Sequence, residues 1–133
     1  MRIVPPVAAP TFYQRLGGES GVRKLVERFY DLMDSLPEAR AVRALHAASL
    51  VESREKLFEF LSGWLGGPPI YIEKRGHPRL RARHMPFVID DAGVDAWLLC
   101  MNRALDETVE DKDAVAKLKG GLLPLAQHMK NVG

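Results

Sequence analysis

The residues most able to do chemistry are concentrated in one segment of the chain, from Lys74 to His84. This segment contains five cationic side chains and two histidines, and it contains no acidic residue. Such a cluster is typical of a solvated basic face, of a nucleic-acid surface, or of a site for a compact ligand with two negative charges. The seven residues are Lys74, Arg75, His77, Arg79, Arg81, Arg83 and His84.

The charge of the whole chain helps to separate these alternatives. The 19 Lys and Arg residues are nearly balanced by 17 Asp and Glu, which gives a net charge of +2. No second basic stripe accompanies the segment, so nucleic-acid binding is disfavoured. Haem fits the third interpretation, because it carries two propionates and an iron that accepts one imidazole. A solvated basic face stays open as the simpler alternative.

A haem site also needs a flat apolar slot and polar groups beside a bound gas. The region from Leu57 to Trp64 has apolar residues at helical spacing and can supply one wall, opposite a short helix that presents His84. Tyr30 and Trp97 are large residues with a hydrogen-bond donor at helical core positions. Either could instead be an ordinary core aromatic with its polar tip satisfied.

Other familiar chemistries have little support in the sequence. The metal-binding patterns HExxH and HxH are absent, and one cysteine cannot form a cysteine-rich zinc site. The chain also lacks a G-x-S-x-G elbow, a Walker loop and a G-x-G-x-x-G fingerprint, so hydrolase and nucleotide-binding functions are disfavoured.

Length and composition predict one folded domain in a reducing compartment. A chain of 133 residues, 47% hydrophobic and 27% charged, can bury a core without a metal or disulfide staple. Its single cysteine, Cys100, excludes an internal disulfide. No apolar run approaches the roughly 18 residues of a membrane span. We expect residues 1–10 to form a flexible arm and 11–133 a single cytoplasmic domain without membrane partners.

Helical patterns dominate from Thr11 onward and predict an all-α domain. Apolar residues from Val22 to Leu36 recur every three or four positions. The glycine and proline residues at 66–69 end a helix, and only about two turns fit between the prolines at 78 and 86. Predicted helix starts are Ser20, Ser49 with Glu52 as a capping box, Asp90 or Asp91, and Asp111.

The order of these motifs resembles that of the group II truncated haemoglobins. The resemblance implies an all-α, globin-like fold, a shortened two-over-two helical sandwich around haem b (iron protoporphyrin IX). It covers nearly the whole chain and is carried by TFYQRLGG, VERFYDLM, FLSGWLGGPPIYIEKRGHPRLRARHMPF and DAWLLCMNRAL.

The resemblance also implies a role for individual residues. His84 corresponds to the proximal iron ligand, and Tyr30 and Trp97 to distal hydrogen-bond donors. Ser53 and His46 fall at distal positions, where Ser53 is too short to donate directly and His46 could interact with Tyr30 or the ligand. The implied cofactor contacts are Leu57, Phe60, Leu61, Tyr71, His77, Arg81, Arg83 and Phe87, with Arg83, Tyr71 and His77 as the main propionate partners.

The function implied by this family is reversible binding of oxygen, carbon monoxide and nitric oxide. Two distal donors would slow oxygen release, which suits sensing, scavenging or redox chemistry better than bulk transport. The alternative is a haem enzyme for nitric oxide dioxygenation or peroxide reduction, which would require an electron-donating reductase. A haem-free helical interaction module is a further alternative. We expect a monomer or homodimer without a nucleic-acid partner.

Overall fold

A computed structural model describes residues 9–132, in which every regular element is helical. The predicted arm at 1–10 therefore lies mostly outside the described residues. The elements are α1 (Phe12–Arg15), α2 (Gly18–Ser35), a 3₁₀ turn (Pro37–Ala39), α3 (Arg40–Ala44), α4 (Val51–Trp64), α5 (Ile70–Arg75), α6 (Leu80–His84), α7 (Asp91–Thr108) and α8 (Lys112–His128).

Four long helices enclose the core as two packed pairs. Helix α2 packs against α4, α7 packs against α8, and the pairs are joined where α2 meets α7. The apolar repeat predicted between Val22 and Leu36 forms the buried face of α2. Among the largest fully buried side chains are Leu25, Phe29, Leu32, Met33, Met101 and Leu105. The long helices thus provide the rigid part of the domain.

Aspartate caps fix the starts of α7 and α8, as predicted. The Asp90 carboxylate accepts from the Gly93 backbone N–H at 2.8 Å. Asp111 accepts from the Ala114 N–H at 3.0 Å, and it also accepts a hydrogen bond from the Arg15 Nε at 2.7 Å. Such caps satisfy backbone donors that have no partner within the helix. Arg15 therefore ties the first helix to the start of the last one.

The predicted cap at Ser20 is wrong, because α2 begins at Gly18. Gly17 adopts a left-handed φ of 103° and lets the chain turn directly after α1. A Cβ atom on Gly21 would lie 1.7 Å from the Leu16 carbonyl oxygen. The close approach of these two segments starts the helix earlier than the serine signal indicates.

The predicted capping box at Ser49 and Glu52 is also not formed. Leu50 is the N-cap of α4 and its side chain makes no capping bond, although the Ser49 hydroxyl accepts weakly from the Val51 N–H at 3.4 Å. The preceding loop is held instead by Arg43, whose guanidinium donates to the carbonyls at 47 and 48 at 2.9 and 2.8 Å. Contacts from outside the helix therefore determine its start.

The glycine and proline residues at 66–69 end α4, as predicted, and α1 packs against this turn. The Tyr13 N–H donates to the Leu65 carbonyl at 2.9 Å. A Cβ on Gly67 would lie 2.4 Å from the Tyr13 ring, so only glycine fits this contact. Across residues 9–132, no helix is both long and apolar enough to cross a membrane.

Candidate haem site

His84 is the last residue of α6, a helix of only five residues. The helix begins after Arg79, whose φ of 46° is unusual for a residue other than glycine. The His84 Nδ1 lies 2.5 Å from the Leu80 carbonyl oxygen, one turn earlier. A carbonyl only accepts, so Nδ1 carries the hydrogen and a neutral ring leaves its lone pair on Nε2. The half-buried imidazole is thus prepared to bind a metal through Nε2.

Of the three residues expected to contact propionates, Arg83 lies on α6, and Tyr71 and His77 lie on the segment before it. The Arg83 Nε donates to the Pro78 carbonyl at 2.7 Å, and its guanidinium carbon is 5.9 Å from the Tyr71 ring centre. His77, the neighbour of Pro78, accepts the Arg79 N–H on its Nδ1 at 3.0 Å. Arg83 and His77 are exposed and Tyr71 is buried. The group combines a cation, an imidazole and a phenol.

Arg81 has a different environment. Its Nη1 donates to the carbonyl of His128 at 2.7 Å and to that of Lys130 at 2.8 Å. These bonds connect α6 with the end of the chain. A cofactor contact of Arg81 therefore stays a prediction. In the structure, its guanidinium connects two parts of the backbone.

The two predicted distal donors are connected through one buried aromatic residue. The Phe29 ring is fully buried, and it packs edge-on against Tyr30 at 4.8 Å and Trp97 at 5.3 Å between centroids. Tyr30 is 5% exposed and Trp97 is half-buried. Burial raises the pKa of the Tyr30 phenol above its usual range, although the Arg54 charge opposes this rise. Tyr30 is therefore neutral and keeps a hydrogen to donate.

His46 lies beside Tyr30, with 5.9 Å between the ring centroids. Burial lowers the pKa of His46, the nearby Arg43 charge adds to this effect, and the Val42 carbonyl opposes it. This carbonyl is 3.0 Å from His46 Nδ1.

The predicted contacts on α4 differ in exposure. Leu61 is buried in the core, whereas Leu57, Phe60 and Ser53 are half-buried. Phe60 and Tyr71 line a cavity of about 220 Å³, which is below the roughly 300 Å³ of a typical small-molecule pocket. Because of this small volume, the cavity can accommodate only part of a large ligand. His84 is not among its lining residues. The other lining residues are Glu59, Gly63, Trp64, Pro69, Ile72 and Pro78.

The loop after His84 has apolar side chains on its surface. Met85 is 55% exposed, Phe87 43% and Val88 68%. Phe87 is the predicted cofactor contact among them. Exposed apolar residues next to an available imidazole nitrogen suit a flat apolar group bound at this place.

One feature of the site was not predicted, namely the buried carboxylate of Glu59. It is fully buried and binds Arg75 Nε at 2.7 Å and Lys74 Nζ at 3.0 Å. The bond from Arg75 is the main cause of its lowered pKa. Two of the five cations in the basic segment therefore neutralise an internal charge. In the sequence, an acidic residue within the apolar stripe of α4 was the signal from which this buried charge could have been predicted.

The two helix pairs, the histidine on a short helix and the aromatic rings packed around Phe29 are together the features of a truncated globin. Residues 11–131 match the family described as bacterial-like globin, and the chain belongs to this family. Membership of the globin family implies a haem cofactor and diatomic gas ligands.

Relatives and solved structures support the same assignment. Group 2 truncated hemoglobin YjbI of Bacillus subtilis (strain 168) is 40% identical over 114 residues, which cover 86% of this chain and 84% of that protein. The group II 2-on-2 hemoglobin from the plant pathogen Agrobacterium tumefaciens is 47% identical, with a TM-score of 0.91 over 94% of this chain and 97% of its own. A truncated oxygen-avid haemoglobin from Bacillus subtilis is 38% identical, with a TM-score of 0.84 over 92% and 100%. The predicted group II resemblance and two-over-two fold are confirmed.

Proposed function

We propose that this globin binds haem b through the Nε2 atom of His84 and takes up oxygen, carbon monoxide and nitric oxide. The observation that carries the proposal is the contact between His84 Nδ1 and the Leu80 carbonyl at 2.5 Å. This bond favours the tautomer that leaves the lone pair on Nε2, where iron would bind. When bound, ferrous haem supplies an open coordination position for a diatomic gas.

The donor set beside His84 fits the acidic edge of haem. Arg83 and His77 are exposed on the same segment, and Tyr71 lies below Arg83. A guanidinium and a phenol both donate to carboxylates, and the charged donor makes the stronger bond. We assign propionate binding to these three residues, and contact with the porphyrin to Leu57, Phe60, Leu61 and Phe87.

Distal donation is assigned to Trp97 and Tyr30. The indole N–H can only donate, and the neutral Tyr30 hydroxyl can donate or accept. Because Phe29 packs against both rings, neither donor can shift without disturbing the core. The His46 ring lies edge-on to Tyr30, with 5.9 Å between the centroids. Ser53 is too short to donate without a bridging water. The oxygen-avid character of the Bacillus subtilis relative agrees with two donors in the distal space.

Absorption spectroscopy of the purified protein tests this function. We expect a Soret band, a shift of that band under carbon monoxide, and a pyridine haemochrome spectrum of haem b. A protein that takes up no haem on reconstitution would exclude the proposal. Turnover of nitric oxide or peroxide with an added reductase would instead establish the enzymatic alternative, which uses the same distal donors.

A further inference from the structure

The end of the chain contacts the loop that follows His84. After α8, residues 129–132 run beside this loop, and the side chain of Asn131 binds three of its backbone groups. Its Nδ2 donates to the Phe87 carbonyl at 2.8 Å and to the His84 carbonyl at 3.2 Å. Its Oδ1 accepts from the Ile89 N–H at 2.9 Å. One amide therefore satisfies backbone groups on both sides of the turn.

Backbone bonds reinforce this contact. The N–H groups of Asn131 and Val132 both donate to the Ile89 carbonyl, at 3.0 and 3.3 Å. On the other side of His84, Arg81 donates to the carbonyls of His128 and Lys130. We name residues 128–132 the C-terminal strap, because they hold the chain both before and after the histidine.

Helix α6 needs such support because it cannot hold its own position. Isolated helices shorter than about 12 residues are marginal in water, and α6 has five residues, none of them buried. The bond from His84 Nδ1 to Leu80 orients the ring only relative to α6 itself. The place of α6 in the molecule must come from contacts with other elements.

We propose that Asn131 is a positioning residue for His84, and that the C-terminal strap sets how the imidazole is presented to iron. The inference rests on the proposed function, since it assumes that His84 ligates haem. An amide suits this role because it is both a donor and an acceptor on one short side chain. Carboxylate and hydrocarbon side chains of similar size lack one or both of these capacities.

Two substitutions separate the roles of the amide. Asn131→Asp keeps an acceptor for the Ile89 N–H but places a carboxylate against two carbonyl oxygens. Asn131→Leu removes both roles at similar size. Lys130→Ala is the matched control, because Lys130 lies in the same strap but its side chain pairs with Asp91 at 2.9 Å. Its backbone carbonyl, which Arg81 binds, is retained.

The measurement is the iron–imidazole stretching band in resonance Raman spectra of the ferrous haem protein. We expect both Asn131 variants to shift or broaden this band and to release haem to an acceptor globin about tenfold faster, as the loss of one to two hydrogen bonds predicts. Lys130→Ala should match the parent in both measurements. Loss of haem from both Asn131 variants with unchanged helical circular dichroism would also support the proposal.

An unchanged band in both Asn131 variants would overturn the inference. Haem loss accompanied by loss of helicity would also count against it, because a general defect in folding would then explain the result. Failure of the proposed function looks different, since the parent itself would then lack an iron–imidazole band, or the band would persist in His84→Gly.

Discussion

The two sides of the candidate haem site are built in different ways. Tyr30 and Trp97 lie on α2 and α7, each 18 residues long, and both pack against the fully buried ring of Phe29. His84 lies on the five-residue α6, where its Nδ1 donates to the Leu80 carbonyl and its own backbone carbonyl accepts from Asn131 Nδ2. Apolar packing thus holds the residues proposed for the distal side, whereas the proposed proximal residue depends on polar contacts of its short helix.

This difference predicts two separate kinds of defect. A change in a packed distal donor alters the interaction with a bound gas and leaves the cofactor in place, provided that the replacement fills the same volume. A change in the proximal contacts alters retention of the cofactor, because few apolar contacts compensate for a lost bond there. The variants below test whether ligand release and haem release can be changed independently.

The largest effect is expected for His84→Gly, which removes the proposed iron ligand. We expect stable haem binding to be lost, because no other imidazole is held at this position. Addition of free imidazole should restore a ferrous haem spectrum by filling the space of the missing ring. Absorption spectra and the haem content after gel filtration measure both effects.

Two histidine variants are the controls for this experiment. His77→Ala and His128→Ala remove exposed imidazoles, and we expect both proteins to keep a normal ferrous spectrum. A normal spectrum in His84→Gly without imidazole would show that another residue ligates the iron.

The next effect concerns the distal side alone. Trp97→Phe should accelerate oxygen dissociation at least tenfold, because a hydrogen bond to a partly charged acceptor contributes about 1.5 kcal/mol or more. Phenylalanine retains most of the ring volume, so haem release should stay close to that of the parent. Stopped-flow displacement of oxygen measures the first rate, and transfer to an acceptor globin the second.

Two comparisons refine this test. Tyr30→Phe should accelerate oxygen release less, because the Tyr30 hydroxyl can rotate and His46 can divert it. Carbon monoxide is less polar when bound and should respond less in both variants. Oxygen release within twofold of the parent in Trp97→Phe would make the tryptophan a packing residue.

The contrast between the two sides also explains what the sequence could predict. Helices α2, α7 and α8 have clear apolar repeats, and Asp90 and Asp111 mark two of their starts as expected. The predicted starts of α2 and α4 were wrong, because the actual starts depend on close packing at Gly21 and on the hydrogen bonds of Arg43 to the loop. Local patterns do not contain such contacts.

The same limit applies to the site. His84 could be placed on a short helix because two prolines bracket it, and this prediction needs only nearby residues. Asn131 could not be found in this way, since its partners lie 42 to 47 positions earlier in the chain. Arg81 was expected to contact the cofactor because the family resemblance implied it, whereas its carbonyl partners near the end of α8 cannot be read from the sequence.

A smaller proximal effect is expected for Arg83→Glu. A carboxylate in place of the guanidinium should repel a propionate, and haem release should become severalfold faster without a change of iron ligand. Lys24→Glu is the control, because it makes the same charge change at an exposed position on α2. Equal rates of haem transfer from the two variants and the parent would exclude Arg83 from propionate binding.

The smallest effect is expected for the way in which His46, the neighbour of Tyr30, makes the stability of the fold depend on pH. Burial lowers the pKa of His46 below its ordinary value near 6.5, so the unfolded chain binds the proton more readily than the folded one. The free energy of unfolding therefore rises with pH between the lowered pKa and 6.5, and this contribution is lost as the pH falls through that window.

His46→Phe removes the titrating group and keeps a ring beside Tyr30. We expect the variant to lose less stability than the parent between pH 7 and 5, by at most about 1.4 kcal/mol per pH unit for one proton. Urea unfolding at several pH values measures the difference in stability between the two proteins. The other histidines contribute equally to both and cancel in this difference. Parallel curves for the two proteins would show that His46 titrates equally in both states and that burial does not control its charge.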